Sequence, residues 1–378
     1  MKIDRITVHV FRAPTQKPVA TSFGVMRDRP AVFVRLSDGE GAHGWGEIFA
    51  NWPAAGAEHR ARLLMEDVAD LVLGREVEAP EQLFDALTRQ THIRALQCGE
   101  WGPFRQVIAG LDTAMHDLFA RRADLSLAAY LSAEAGASVP VYASGLHVSA
   151  AGEEIAAARA RGIKAFKVKV GFDARRDLDD LGALVAGLQQ GEALMADANQ
   201  AWSLHEAEEF ARQSEGLHLA WLEEPIRADS PLGEWQRLAQ ACATPLAAGE
   251  NIVGFQDFAA AIESGAFTVL QPDVAKWGGV SGCLAVARQT VAAGLRYCPH
   301  FLGGGIGLLA SAHVLAAAGG DGMLELDANA NPLRDSFVAQ HPVTEGAFPI
   351  AESPGLGIDT LPDEIADFRT LTLDSAGA

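Results

Sequence analysis

From residue 139 onward an apolar run of four to six residues returns eight times, beginning at 139, 165, 193, 219, 245, 267, 295 and 323. The starts recur at a near-regular interval, and amphipathic helix patterns fill the gaps at 150–161, 176–188, 205–214, 232–242, 256–263, 282–293 and 307–318. Runs that are apolar throughout, rather than alternating, belong to strands buried on both faces, the condition of a parallel sheet. Eight such units predict an α/β chain closed into a barrel, with an open doubly wound sheet as the alternative. No Gly-x-Gly-x-x-Gly opens a helix after the first of these strands, which weakens the dinucleotide-binding version.

In a β/α barrel the side chains at the C-terminal strand ends converge. Here strand three ends in Asp197, strand four in Glu223-Glu224-Pro225 and strand five in Gly249-Glu250-Asn251. Strand six leads through Gln271-Pro272 to Asp273, strand seven reaches His300 and strand eight carries Glu325. Strand two reads Lys167-Val168-Lys169, and a period of two puts both lysines on one face. A bare Lys-x-Lys also suits a solvated strand face. The acids decide against that, because a buried ammonium pair is tolerable when carboxylates neutralise it.

Asp197, Glu223 and Glu250 recur at almost the same interval as the strands themselves. Three carboxylates aimed at one point repel unless a hard cation lies between them, and all-oxygen ligation favours one Mg²⁺. His300 is expected to lie across the barrel from these acids and not to be a ligand. A divalent cation beside a lysine suits abstraction of a proton next to a carboxylate, since it stabilises the enediolate more than the ground state. Such a base must be neutral, so Lys167, the Mg²⁺ and burial are expected to lower the pKa of Lys169. Asp273 precedes His300 by one strand–helix repeat, on the adjacent strand, placed to fix the tautomer of the imidazole and raise its pKa.

The first third has a different order. Strands are expected at 2–12, 31–37 and near 44–48, then helices at 57–73, 80–88 and 104–122. Strands first and helices afterwards indicate an α+β domain. Two segments read as ligand-facing loops, Thr21-Ser22-Phe23-Gly24 and Phe49-Ala50-Asn51-Trp52-Pro53. Thr21, Ser22 and Asn51 offer hydrogen bonds, whereas Phe23 and Trp52 could pack an aryl group. Tyr142, His147 and Asn199, near strand ends one and three, are further candidate substrate contacts. The expected division is 1–125, 126–345 and 346–378. For the last segment a loose tail and a return to the first domain both fit.

A net charge of −19 argues against nucleic acid and anionic membrane as partners. The four cysteines are far apart and form no Cys-x-x-Cys, which fits a reducing compartment without structural zinc. The opening Met1-Lys2-Ile3-Asp4-Arg5 is no signal peptide and no stretch approaches 18 apolar residues, so a cytoplasmic protein is expected.

The set Lys167-Val168-Lys169, Asp197, Glu223, Glu250, Asp273 within Pro272-Asp273-Val274-Ala275-Lys276-Trp277-Gly278-Gly279, His300 and Glu325 resembles the mandelate racemase subgroup of the enolase superfamily. The resemblance covers nearly the whole chain. It implies an N-terminal capping domain, a modified TIM barrel of (β/α)₇β form, and a C-terminal segment that completes the cap. It implies Mg²⁺ on Asp197, Glu223 and Glu250, and Lys169 as the base on one face of the substrate. His300, supported by Asp273, would be the acid or base on the other, while Glu325 and Lys167 polarise the substrate carboxylate. The expected reaction is dehydration of an acid sugar, with racemisation of a 2-hydroxy acid as the alternative. A homo-oligomer acting on a small carboxylate substrate is expected.

Three rival readings have less support. An amidohydrolase-type barrel needs paired histidines on strand one, and Tyr142-Ala143-Ser144 supplies none. Gly303-Gly304-Gly305 could cradle a phosphate after strand seven. A non-catalytic barrel would have no use for so complete a set of charged strand ends.

Overall fold

The computed structural model describes residues 1–21 and 24–377. The chain opens with a long hairpin, β1 (Ile3–Thr21) and β2 (Gly24–Asp38), followed by β3 (His43–Ile48). The first two strands run well past the expected 2–12 and 31–37. Pro14 and Pro18 break the alternation there, and the ladder resumes after a register shift between Pro14 and Val19. Ser22 and Phe23 lie outside the described residues, as does the side chain of Thr21.

Helix α1 (Gly56–Leu63) widens to a π turn at Leu64–Val68 and tightens to a 3₁₀ turn at Ala69–Leu71. Helix α2 (Pro80–Cys98) continues well beyond the expected end at 88, because its later turns are polar and carry a weaker periodic signal. Helix α3 (Trp101–Arg122) buries the stripe Val107, Ile108, Leu111, Ala114, Met115 and Leu118 against the sheet. Gly46 of β3 and Gly110 of α3 let the two backbones touch, since a Cβ on either would collide with the other element. A short α4 (Leu127–Leu131), not anticipated, leads out of the cap.

The eight anticipated strands are all present: β4 (Ser138–His147), β5 (Ala165–Lys169), β6 (Ala193–Asp197), β7 (Leu222–Glu223), β8 (Leu246–Ala248), β9 (Val269–Leu270), β10 (Arg296–Tyr297) and β11 (Leu324–Asp327). Seven helices alternate with them: α5 (Gly152–Ala160), α6 (Ala174–Ala186), α7 (Leu204–Ser214), α8 (Leu232–Ala241), α9 (Phe255–Glu263), α10 (Gly279–Ala292) and α11 (Gly305–Ala318). The strands form one curled parallel sheet in which β11 returns to pair with β4. Side chains bridge the seam between β10 and β11, with Met323 N–H on Cys298 Sγ (3.4 Å) and Phe301 N–H on Glu325 Oε2 (3.1 Å). This is the modified TIM barrel with a capping domain.

After α12 (Pro332–Val338), the short β12 (Ala347–Pro349) pairs antiparallel with the start of β4. The last strand, β13 (Arg369–Ala376), then pairs antiparallel with β1 from Phe11 back to Arg5. The C-terminal segment is therefore an edge strand of the cap sheet, not a loose tail. No described helix is long and apolar enough to cross a membrane.

Candidate active site

The period of two that defines a strand stacks the barrel interior in layers. Tyr142, Ala165, Met195, Trp221, Ala247, Val269 and Cys298 form an apolar floor. Two residues further along, six of these seven positions become polar: Ser144, Lys167, Asp197, Glu223, Gln271 and His300, joined by Glu325 two residues after Met323, while the one after Ala247 is Gly249. The site is thus the layer directly above the floor, and its members are buried.

Register sets the lysine side. Lys169 lies level with Asp197, and Asp197 level with Glu223. Lys169 Nζ donates to Asp197 Oδ2 at 2.5 Å. Lys167 Nζ reaches Glu223 Oε1 at 2.6 Å, Glu325 Oε1 at 2.8 Å and Asp197 Oδ2 at 3.5 Å, above the Tyr142 ring. Glu223 also accepts from Gln271 Nε2 (2.7 Å) and Trp221 Nε1 (3.2 Å), and Glu325 accepts from the Ser144 hydroxyl. Burial alone would lower both lysine pKa values, but Glu223 and Glu325 hold Lys167 well above the ordinary range and Asp197 holds Lys169 above it. The expected lowering of Lys169 is therefore absent while Asp197 is free to pair with it.

The opposite side carries the histidine. His300 Nδ1 meets Asp273 Oδ2 at 2.7 Å, and Asp273 Oδ1 accepts from the amides of Ala275 (2.8 Å) and Lys276 (3.1 Å). Both carboxylate oxygens are committed, so the ring orientation is fixed. Burial disfavours the charged ring, yet Glu250, Glu325 and Asp273 raise it to about 10. His300 does not stand clear of the three acids, as expected from its strand, because its Nε2 lies 2.5 Å from Glu250 Oε2. The curl of the sheet brings the turn after β8 inward, towards β10.

Asp197, Glu223 and Glu250 each face a cation: Lys169, Lys167, and His300 with Lys276, the last at 3.3 Å from Glu250. Among the described residues no three His, Cys, Asp or Glu side chains are drawn together as a metal cluster. The donor chemistry nevertheless fits Mg²⁺. Six carboxyl groups (Asp197, Glu223, Glu224, Glu250, Asp273 and Glu325) share this layer and its rim with four cationic side chains (Lys167, Lys169, Lys276 and His300). Burial and the neighbouring acids raise Glu223 to about 7 and push Glu224 well above the usual carboxylate range. A divalent cation on oxygen ligands would relieve that crowding of acids.

The remaining candidates divide. Asn199 donates its backbone N–H (2.8 Å) and Nδ2 (3.3 Å) to Asp197, at the strand end as expected. His147 pairs with Lys169 across the β4–β5 ladder, is exposed, and stacks on Phe172 at 4.5 Å. Tyr142 is fully buried in the floor, one layer below the polar groups, so it carries Lys167 instead of facing a substrate. Asn51 Nδ2 is committed to Leu302 O at 2.6 Å, and the Trp52 indole packs on Gly24 at the tip of the hairpin. The Gly303-Gly304 cradle holds Glu47 of the cap, which accepts from the amides of Gly304 (2.5 Å) and Gly307 (2.8 Å), so the phosphate reading is overturned.

Sequence reasoning passed over Glu224 and Lys276, although both stood inside motifs it quoted. Glu224 takes a positive φ of 37° and accepts from Asn251 Nδ2 at 2.8 and 3.1 Å. Lys276 lies over the Phe49 ring at 5.1 Å.

Residues 5–131 match the family model for the mandelate racemase/muconate lactonizing enzyme N-terminal domain, and residues 150–364 match the enolase C-terminal domain-like model. The chain is 48% identical to a mandelate racemase/muconate lactonizing enzyme of Bordetella bronchiseptica RB50, with a TM-score of 0.90 over 95% of this chain and 97% of that one. It is 30% identical to L-talarate/galactarate dehydratase of Salmonella typhimurium over 82% of this chain and 75% of the relative. The L-talarate dehydratase of Polaromonas sp. JS666, solved with Mg and L-glucarate, is 25% identical with a TM-score of 0.82 over 100% of this chain and 99% of that one. Other relatives are cycloisomerases and racemases.

Proposed function

The chain belongs to the mandelate racemase/muconate lactonizing enzyme family of the enolase superfamily, and on that premise we propose that it is an acid-sugar dehydratase. It removes the α-proton of a polyhydroxy carboxylate and expels the β-hydroxyl as water, leaving a 2-keto-3-deoxy acid after the enol tautomerises. Lys169 takes the proton from one side, and the C–H electron pair passes through the enediolate into a carbon–carbon double bond as the β C–O bond breaks. His300 delivers a proton from Nε2 to the departing hydroxyl. Mg²⁺ on Asp197, Glu223 and Glu250 would supply the positive charge that makes the α-proton acidic. Lys167 balances Glu223 and Glu325 beneath the substrate carboxylate.

The observation that supports this reading is the 2.7 Å hydrogen bond between Asp273 and His300 Nδ1, which fixes the ring with Nε2, here paired with Glu250, turned to the carboxylate layer. The polar rim supports a polyhydroxy substrate: Trp52 is occupied against Gly24 and Phe49 lies under Lys276, while Asn199 and Lys169 face the strand ends. The dehydratase relatives support the same class. Action in the cytoplasm as a homo-oligomer belongs to this proposal, and native mass measurement checks the assembly.

The test is a library of acid sugars and 2-hydroxy acids incubated with Mg²⁺ in D₂O, read for 2-keto-3-deoxy product, α-deuteration and optical rotation. Product with deuterium exchange lost in Lys169→Ala, and exchange without product in His300→Asn, is the expected outcome. Loss of rotation without product would assign a racemase instead. Absence of both exchange and product across the library would sink the catalytic reading.

A further inference from the structure

Asp273 and His300 lie beyond the ends of β9 and β10, and the helices that follow those segments are α10 and α11. The head of each helix receives a buried carboxylate from the cap. Glu47, on β3, accepts from Gly304 and Gly307 at the start of α11 (2.5 and 2.8 Å). Asp112, on α3, accepts from the Ser281 amide (2.8 Å) and hydroxyl (2.6 Å) in the first turn of α10. Both acids are buried, at 4% and 1% relative exposure, and each is far from its partner in sequence.

The glycines around these contacts make room for them. A Cβ on Gly303 or Gly304 would come within 2.8 and 3.0 Å of Glu47 Oε1. Gly279, at φ +54°, brings the head of α10 so close to Asp112 that any side chain there would collide with the carboxylate. The free N–H groups at the head of a helix need acceptors, and two consecutive barrel helices are served in this way by carboxyl oxygens of one domain. Two more contacts fall on the same segments. Phe49 N–H donates to Ala275 O (3.3 Å), two residues from Asp273, and Asn51 Nδ2 to Leu302 O (2.6 Å), two residues from His300.

We propose that the cap sets the geometry of the proton-transfer pair through these two struts, which makes Glu47 and Asp112 positioning residues for His300 and Asp273. The inference rests on His300 being the proton donor of the dehydration, but its structural half stands apart from that. Glu47 aligns the segment 300–304 by fixing the helix into which it runs, and Asp112 does the same for 273–279. A glutamine at 47 can accept only one of the two amides and turns its own NH₂ toward the other. An alanine at 112 leaves the Ser281 amide at the head of α10 without its acceptor, while the Ser281 hydroxyl keeps His116 Nε2 at 2.9 Å.

The experiment uses the full-length protein with ¹⁵N-labelled histidine, the His300 resonances being identified by their loss in His300→Asn. Glu47→Gln and Asp112→Ala are expected to shift or broaden the His300 Nδ1 proton signal while the far-UV spectrum is retained. With the acid of highest turnover in the library, kcat should fall by about 10- to 100-fold with KM within about twofold. Deuterium exchange driven by Lys169 should change little. Asp117→Asn is the control: Asp117 lies on the same helix, is equally buried, and accepts from Trp45 and Leu356, not from α10 or α11. It should cost stability without moving the His300 signal. An unmoved signal in both strut variants, or the same change in Asp117→Asn, would overturn the proposal. If no acid turns over, the dehydratase reading fails, and the imidazole spectra still decide whether the struts hold the pair.

Discussion

Lys167 and Lys169 meet their acids within one sheet. The ladder that sets Lys169 level with Asp197, and Asp197 level with Glu223, also fixes their spacing, and every partner lies on a neighbouring or facing barrel strand. Asp273 and His300 lie past the last paired residues of β9 and β10, where only two residues of each strand are in register. Their direct partners are Glu250 and the amides of Ala275 and Lys276, and the segments that carry them are met by the cap through Glu47, Phe49, Asn51 and Asp112. The lysine half is therefore specified by sheet register, in which a slip of one residue would turn every group outward. The histidine half is specified by how one domain sits on another. Disturbances of the cap should reach the histidine half first.

The largest effect expected is from Lys167→Met. It leaves Glu223 and Glu325 buried without their nearest cation, and breaking a buried pair by removing one partner costs about 3–5 kcal/mol. Chemical denaturation at pH 7 should show that loss, and the deficit should shrink as the pH is lowered and the stranded acids take up protons. A Lys167→Met variant as stable as the parent would mean that sheet register, not charge pairing, holds this half together.

The same contrast explains what could be read from the chain alone. The eight strands and seven helices were legible because each is an unbroken apolar run or a periodic stripe whose signal is complete within a few residues. Asp197, Glu223, Glu250, Asp273, His300 and Glu325 were legible because the barrel repeat places strand ends at regular intervals. Glu47 and Asp112 were not: a lone acid in a strand or a helix is an ordinary surface residue until its partner, 257 or 169 positions away, is known. For the same reason Gly303-Gly304 read as a cradle of the right kind with the wrong occupant. The direct contact between His300 and Glu250 depends on barrel curvature, which strand order does not convey.

The second effect separates the halves by the sign of their pH dependence. Burial raises Glu47 to about 7 from 4.5, the amides of Gly307 and Gly304 opposing it only in part. An acid held above its unfolded value binds more protons when folded, so its contribution to stability is full below about pH 4.5 and declines as the pH rises toward 7. The decline amounts to about 3 kcal/mol. Asp112, raised by burial to about 8, acts in the same direction. Asp197 has the opposite sign. Burial would raise it, but Lys169 and Lys167 hold it below 3.8, so its contribution is present above that value and lost as the pH falls further. Stability measured from pH 5 to 7 should therefore slope less steeply in Glu47→Gln than in the parent, and a parallel slope would remove Glu47 as its source.

The two smallest effects probe the contacts that Asn51 and Phe49 of the cap make with the barrel. Asn51→Ala removes the bond to Leu302 O and should cost about 1 kcal/mol. Phe49→Leu keeps the backbone bond to Ala275 and most of the apolar volume, but removes the ring face under Lys276. A cation–π contact contributes from about 0.5 kcal/mol where exposed to about 2 kcal/mol where desolvated. Lys276 is also attracted to Glu250, the same carboxylate that His300 Nε2 contacts, so a released ammonium has an anion to follow. The outcome expected of Phe49→Leu is a stability loss at the lower end of that range, together with a small displacement of the His300 imidazole resonances and none of the Lys169 ammonium. Equal displacement of both would show that a disturbance at the cap spreads through the shared carboxylate layer, and the two halves would then have to be treated as one electrostatic unit.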